Sequence, residues 1–316
     1  MSEVEAIRID ELSHRYRERE ALRAVSFDVR RGEIFSLLGP NGSGKTTLFR
    51  ILCTLLRPTA GRARILGFDL EQAPAQVRRR IGVVFQSPSI DGKLTVAENL
   101  RHHGRLYGIG SEDLKERMGV TMQRLGVADR AGDRVDTLSG GLQRRVELAK
   151  GLLPKPDVLL LDEPSTGLDP AARRELGRYL EELRDRDQVT VVLTTHYLEE
   201  AERSDRVAIL HQGRLVSIGN PDALKASVGG DVVVIHADDT QGLRDKIRER
   251  FGIETAEVDG TLRVERPRGH ELLRDLIEAF PGEIKSVTFG KPTLEDVFIH
   301  LTGDRFWDGT GNGGGQ

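Results

Sequence analysis

Gly39-Pro40-Asn41-Gly42-Ser43-Gly44-Lys45-Thr46 fits G-x-x-x-x-G-K-[ST], the pattern of a loop that cradles nucleotide phosphates. Glu33–Leu38 before it reads as a buried strand, and Thr47-Leu48-Phe49-Arg50-Ile51-Leu52 continues as a helix. The strand–loop–helix order matters because the chemistry lies in the backbone. Glycines let successive N–H groups curl round an anion, and the new helix points its positive end at it. Lys45 suits the β- and γ-phosphates, and the Thr46 hydroxyl suits Mg²⁺. The bland alternative is a Gly-rich turn leading into a helix with a chance lysine.

Val158-Leu159-Leu160-Leu161-Asp162-Glu163 is an apolar run ending in two carboxylates. Strands buried on both faces of a parallel sheet have this character, and ligands of α/β folds bind at the C-terminal ends of such strands. Asp162 suits a Mg²⁺ ion held through its water shell, and Glu163 suits a general base for an attacking water. Alone, the run also reads as a strand followed by an acidic turn; the phosphate loop upstream favours the catalytic reading.

Leu138-Ser139-Gly140-Gly141-Leu142-Gln143 precedes Arg144-Arg145-Val146-Glu147-Leu148-Ala149. Ser139 can cap a helix whose first turn offers the N–H groups of Gly140 and Gly141. This makes a second anion site with nothing in its own half to fill it. The inference is that it meets the γ-phosphate of a nucleotide held by another copy. The alternative is an ordinary Ser-Gly-Gly cap.

On these residues the chain resembles the ATP-binding subunit of an ATP-binding-cassette transporter, from about Ile7 to Ala226, with the motifs in the family's order. The resemblance implies that Tyr16 stacks on adenine, although Tyr16 also reads as a plain strand aromatic. It makes Gly39–Thr46, with Thr47, the Walker A loop, and Gln86 in Val83-Val84-Phe85-Gln86-Ser87-Pro88 the Q-loop glutamine, a Mg²⁺ ligand. Leu138–Gln143 is the signature, acting in trans through Ser139, Gly140, Gly141 and Gln143, with Leu142 where many members have Gln. Leu159–Pro164 is Walker B, Ser165–Asp169 the D-loop, and His196 the switch histidine. Implied catalytic residues are Glu163, His196, Gln86 and Lys45; implied Mg²⁺ ligands are Thr46, Gln86 and Asp162; ATP and Mg²⁺ are the cofactors. Asp169 before Pro170 is also a good helix cap.

Composition agrees. The chain has 316 residues, a net charge of −3 and one cysteine. The length suggests two domains, and the charge argues against dedicated nucleic-acid binding. Cys53, among Ile51, Leu52, Leu55 and Leu56, reads as core. Met1–Arg15 shows no signal-peptide pattern, and no apolar run approaches the roughly 18 residues of a membrane helix. The expected location is therefore peripheral, on the cytoplasmic face of the cell membrane, and cytoplasmic when free.

The expected fold is α/β: a P-loop NTPase of the cassette type with a RecA-like core, an antiparallel β layer and a helical insert. Ile7–Ile9, Val25–Val29 and Ile34–Leu38 read as strands of the nucleotide-facing layer. Leu94–Gly132 reads as helical, opening with the capping-box pattern Thr95–Glu98, within an insert spanning about 88–140. Arg206–Leu210 and Arg214–Ile218 read as a hairpin through Gln212-Gly213. The ATP-binding domain is expected over 1–229 and an accessory domain over 230–303. The latter reads β-α-β-β-α-β: Val232–His236, Leu243–Phe251, Glu254–Val258, Thr261–Glu265, Glu271–Phe280 and Ile284–Phe289. Asp259-Gly260 marks its hairpin, and the order suggests a small α+β ferredoxin-like sandwich. Pro292–Phe298 with Leu301-Thr302-Gly303 resembles the tail of daunorubicin-resistance exporter ATPases; it also reads as an amphipathic helix capped by Thr293. Residues 304–316 are Gly-rich and read as a flexible tail in which Phe306 and Trp307 dock locally.

Together these features predict an ATPase that forms a homodimer around two Mg-ATP and energises a separately encoded membrane permease. Export of a drug or other hydrophobic compound is the expected task. The alternative is a soluble cassette ATPase acting on ribosome or DNA. A single ATPase half, the lack of a long coiled coil between Gln86 and Ser139, and the lack of an Asn-Lys-x-Asp motif count against that alternative and against a GTPase.

Overall fold

A computed structural model describes residues 5–306, which form two compact units divided between Leu215 and Val216. The first unit opens with β1 (Glu5–Tyr16) and β2 (Arg19–Arg30), paired antiparallel. Ile7 and Ile9 in β1, and Val25, Phe27 and Val29 in β2, are buried, as one face of a period-two pattern requires; irregularities at Glu11 and Ala24, both at positive φ, reset the phase so that Leu12 and Leu22 are buried too. Next come β3 (Ile34–Leu38), α1 (Lys45–Leu52), β4 (Ala60–Ile65), β5 (Phe68–Asp69), α2 (Pro74–Arg78) and β6 (Ile81–Val84). The antiparallel layer has the order β2-β1-β4-β5.

Three helices follow: α3 (Val96–Leu106), α4 (Ser111–Arg124) and α5 (Gly140–Leu152). The single helical stretch expected over Leu94–Gly132 is thus broken after Leu106, where Gly108 takes φ 71°. The Thr95 capping box forms, with both reciprocal bonds present. The unit continues through β7 (Val158–Asp162), α6 (Pro170–Asp187), β8 (Thr190–Thr195), α7 (Leu198–Ala201), β9 (Arg206–His211) and β10 (Arg214–Gly219), in which the chain passes to the second unit.

The second layer has the order β10-β9-β3-β8-β7-β6, and β6, β7, β8, β3 and β9 run parallel. Ile34–Leu38 does not join the antiparallel layer; it stands centrally in the parallel sheet between β8 and β9. The physical reason is burial on both faces. All five residues are buried, whereas a strand with one wet face alternates. Its one polar side chain, Ser36, is satisfied by Ser204 at 2.5 Å. The apolar sides of α3, α4, α5 and α6 share one core with Leu159, Leu161 and Leu193 of the sheet. Cys53 is buried in its helix end; burial pushes its thiol pKa up, so it stays an inert packing group.

The second unit contains α8 (Pro221–Ala226), β11 (Asp231–Ala237), α9 (Thr240–Phe251), β12 (Ala256–Val258), β13 (Thr261–Arg266), α10 (Gly269–Ala279), β14 (Ile284–Gly290) and α11 (Leu294–Thr302). Its sheet order, β12-β13-β11-β14, with every pairing antiparallel, is the expected ferredoxin-like sandwich. Leu243, Ile247, Leu272 and Leu276 pack on Val233, Ile235, Leu262 and Val264. Arg263 alternates with Leu262 and Val264, so it lies on the other face. There it meets Asp296 of α11 at 2.7 Å and Glu265 at 3.1 Å. Thr293 and Asp296 form a capping box. Leu294, Val297 and Phe298 are buried and Leu301 is exposed. Phe306 is buried and edge-on to Phe298, with centroids 5.1 Å apart; Trp307 and the rest of the Gly-rich tail lie outside the described residues. Among the described residues no helix is long and apolar enough to cross a membrane.

Candidate active site

The phosphate loop is built as its sequence demands. Gly44 has φ 107°, and a Cβ there would lie 2.7 Å from the Ala21 carbonyl. At Gly39 a Cβ would lie 2.4 Å from the Leu210 carbonyl. Both contacts are too close for any side chain, so β2 and β9 press the loop into a tight coil at the mouth of α1. Asn41, Gly42, Gly44, Lys45, Thr46 and Thr47 line a pocket of about 310 Å³ with Tyr16, Arg19, Ala21 and Glu163. Pro40 contributes its carbonyl, which accepts from Ser43 N at 3.2 Å. The Ser43 hydroxyl is buried with no partner, a polar atom suited to an incoming oxyanion. Tyr16 lines the pocket, 40% exposed, with its ring centroid 4.5 Å from that of His14 in an edge-on contact.

Lys45 is almost fully buried. Its ammonium donates to Gly39 O at 2.7 Å and Pro40 O at 3.0 Å, and lies 4.0 Å from Glu163 Oε1. Burial lowers its pKa, opposed by Glu163 and Asp162.

The carboxylates stand where the parallel strands end. Asp162 accepts from Thr194 Oγ1 at 2.6 Å. Burial raises its pKa, against the Thr194 bond. Glu163 has φ 44°, unusual for a non-glycine residue and a strain of the kind that clusters at functional sites. Its N–H donates to Thr194 Oγ1 at 3.0 Å. Its carboxylate lies 3.2 Å from His196 Nδ1 and accepts from Gln86 Nε2 at 3.2 Å and Thr166 Oγ1 at 3.3 Å. The His196 contact is the chief cause of a pKa below the usual carboxylate range; burial opposes it, and Lys45 adds to it. Lys45, Gln86, Glu163 and His196 are thus one constellation.

The signature residues stand apart from that pocket. Ser139 caps α5, accepting from Leu142 N at 3.4 Å. Ser139 and Gly140 are exposed. Gln143 turns inward, donating to Val135 O at 3.1 Å and Leu138 O at 3.0 Å. Asp169 caps α6 through Ala171 N and Ala172 N at 2.8 and 2.9 Å.

Several contributors escaped the sequence reading. Arg19 and Ala21 reach the pocket only because β2 folds over the loop. Thr194 closes an apolar strand, but nothing near it in the chain points to its bond with Asp162, 32 residues away. Arg144, whose guanidinium donates to the carbonyls of Phe85 and Pro164 beside Gln86 and Glu163, had no signal beyond its position in an amphipathic helix. The oxygen donors Thr46, Gln86 and Asp162 suit a hard cation such as Mg²⁺, which takes one or two carboxylates together with phosphate oxygens. Among the described residues no group of three or more His, Cys, Asp or Glu could hold a metal.

Comparisons with known proteins agree with this geometry. A family model described as ABC transporter matches residues 22–166, and one described as ATP-binding protein DrrA1-3-like, C-terminal domain, matches 219–302. A model for an AAA domain, putative AbiEii toxin, matches 144–200, the stretch carrying Asp162, Glu163 and His196. The chain is 40% identical to the daunorubicin resistance ATP-binding protein DrrA3 of Streptomyces coeruleorubidus over 312 residues, 95% of this chain and 96% of the relative. It is 37% identical to the Nod factor export ATP-binding protein I of Paraburkholderia xenovorans (strain LB400), over 96% of this chain and 99% of the relative. The dimeric structure of MJ0796, a bacterial ABC transporter cassette, matches at a TM-score of 0.62 and 28% identity, covering 68% of this chain and 98% of that one. A glycine-rich loop opening α1, the Asp162–Glu163 pair beside His196, and a DrrA-like C-terminal domain all lie on one chain, which belongs to the ABC transporter family as an ATP-hydrolysing ATP-binding subunit.

Proposed function

We propose that two copies of this chain close around two Mg-ATP and drive a separately encoded membrane permease that exports a drug or another hydrophobic compound. The observation that carries the dimer is at Gly140. A Cβ there would meet nothing within 4 Å, so the subunit's own packing does not ask for glycine. A ligand approaching from outside does, because backbone N–H groups at a helix start reach an anion best without a side chain in the way. The exporter reading is supported by the names of the relatives, daunorubicin resistance and Nod factor export. The chain would then act at the cytoplasmic face of the membrane.

In this reading Tyr16 stacks on adenine, and Gly39–Thr47 cradle the phosphates. Lys45 exchanges its carbonyl partners for the γ-phosphate. Glu163 accepts a proton from the water that attacks the γ-phosphorus, Gln86 and His196 orient water and phosphate, and the bond to the bridging oxygen breaks to leave ADP and phosphate. Thr46, Gln86 and Asp162 would hold Mg²⁺, which neutralises charge on the phosphate oxygens. Ser139, Gly140 and Gly141 complete the partner's site, with Asp169 facing across the same interface.

Light scattering tests the proposal. Glu163→Gln retains ATP because the amide cannot act as a base, and should shift from monomer to dimer on adding Mg-ATP. Ser139→Arg on that background should abolish the shift. A dimer indifferent to both nucleotide and Ser139→Arg would refute the sandwich.

A further inference from the structure

The helix that begins at the signature also grips the Q-loop. Arg144, Glu147 and Lys150 recur at spacings of three and so share one face of α5. Arg144 Nη1 donates to Phe85 O at 2.8 Å, immediately before Gln86. On the other side of Gln86, Ser89 N and Oγ donate to the buried Glu147 carboxylate at 2.5 and 3.0 Å. Lys150 Nζ donates to Ser89 O at 2.6 Å. Gln86 is therefore held from both flanks by one helix face.

Arg144 reaches further. Its Nε donates to Pro164 O at 2.7 Å, and its Nη2 lies 3.5 Å from Asp162 O. Those two carbonyls bracket Glu163. A single guanidinium thus spans the residue before Gln86 and both neighbours of Glu163, the two side chains that meet at 3.2 Å. A planar fork with five donors can hold diverging carbonyls; an ammonium of lysine cannot hold all of them.

We propose that Arg144 is a positioning residue that transmits engagement of Ser139 to Gln86 and Glu163 of the same subunit, so that each composite site governs hydrolysis at the other. This rests on the sandwich reading above. When the partner's γ-phosphate fixes the N-terminus of α5, the clamp fixes the Q-loop and the turn after β7. Loosening of α5 on phosphate release loosens the neighbouring catalytic pair. Arg145, the next residue, is a natural control. It bonds Glu175 and Leu125 O, tying α5 to structure rather than to the catalytic motifs.

The test uses the full chain with Mg-ATP, reading kcat, KM, the Hill coefficient and dimer formation. Dimerisation of Glu163→Gln is measured first; its absence refutes the sandwich and with it the cross-site link. Given a dimer, Arg144→Met should lower kcat roughly 10–100-fold, the scale of a misplaced catalytic group. ATP affinity should stay within about threefold, and Glu163→Gln/Arg144→Met should still dimerise. The Hill coefficient, which for two coupled sites can approach about 2, should fall toward about 1. Arg144→Lys should recover part of kcat. Arg145→Met should lower thermal stability and leave the Hill coefficient unchanged. A folded Arg144→Met with wild-type kcat and Hill coefficient would overturn the proposal, as would Arg145→Met reproducing both losses. Should Arg144→Met fail to fold, Arg144→Lys decides alone: wild-type kcat and Hill coefficient in it overturn the proposal, and partial loss of both supports it.

Discussion

Replacing Thr194 with valine removes one hydroxyl from a site with no exposure at all. The side-chain outline is kept, so no cavity opens. What is lost is the 2.6 Å bond to Asp162 Oδ1 and one of two acceptors for Glu163 N–H. Glu163 N retains the Thr194 carbonyl at 3.2 Å, so that donor is not orphaned. The cost is therefore one hydrogen bond to a buried charged group, about 2 kcal/mol. For a unit of this size it corresponds to a fall in Tm of about 4–8 °C. The pH dependence has a definite sign. Burial raises the pKa of Asp162 in the folded state, so its contribution to stability is full below the unfolded value and is lost as pH rises through the folded one. The Thr194 hydroxyl favours the charged form. The deficit of Thr194→Val should thus be largest above the folded pKa of Asp162 and shrink on acidification. Urea unfolding at several pH values measures it. A deficit below about 0.5 kcal/mol at neutral pH, or one that grows on acidification, would refute the argument.

Lys45→Ala removes a charge-assisted contact to the phosphates and should raise the Kd for Mg-ATP roughly 10–100-fold; calorimetry giving an unchanged Kd would remove Lys45 from the phosphate site. Phe298→Ala empties a fully buried aromatic position and should destabilise the C-terminal unit by about 3–5 kcal/mol. Calorimetric scans should then show an early transition, while nucleotide affinity stays unchanged; loss of ATP binding in the folded variant would place the C-terminal unit in the nucleotide site.

What the sequence disclosed and what it hid divide along contact range. Gly39–Thr46 and Val158–Glu163 were legible because loop and carboxylates are contiguous in the chain, each carrying its geometry in a few residues. Ser139, Thr293 and Asp169 were legible as caps for the same reason. The strand Ala60–Ile65 went unread although Arg62-Ala63-Arg64-Ile65 alternates. Its start, Ala60-Gly61, breaks the pattern where Gly61 takes φ 80°. The sheet to which Ile34–Leu38 belongs was misjudged because its partners begin at Thr190 and Arg206. Arg144, Thr194 and Arg19 stayed hidden because their roles lie in carbonyls, carboxylates and loops that only the folded chain brings near.

The central position of β3 bears on how the protein is made. Its register partners run from Val191 in β8 and Arg206 in β9, so more than 150 residues must be synthesised before either flank exists. At about 5–20 residues per second, the apolar strand waits roughly 8–30 s on the ribosome beside a finished β1–β2 ribbon. During that interval the phosphate loop lacks the neighbour whose Leu210 carbonyl presses on Gly39. A nascent chain stalled before Thr190 should therefore fail to retain ATP and should recruit holding chaperones, and release past His211 should restore both binding and protease resistance.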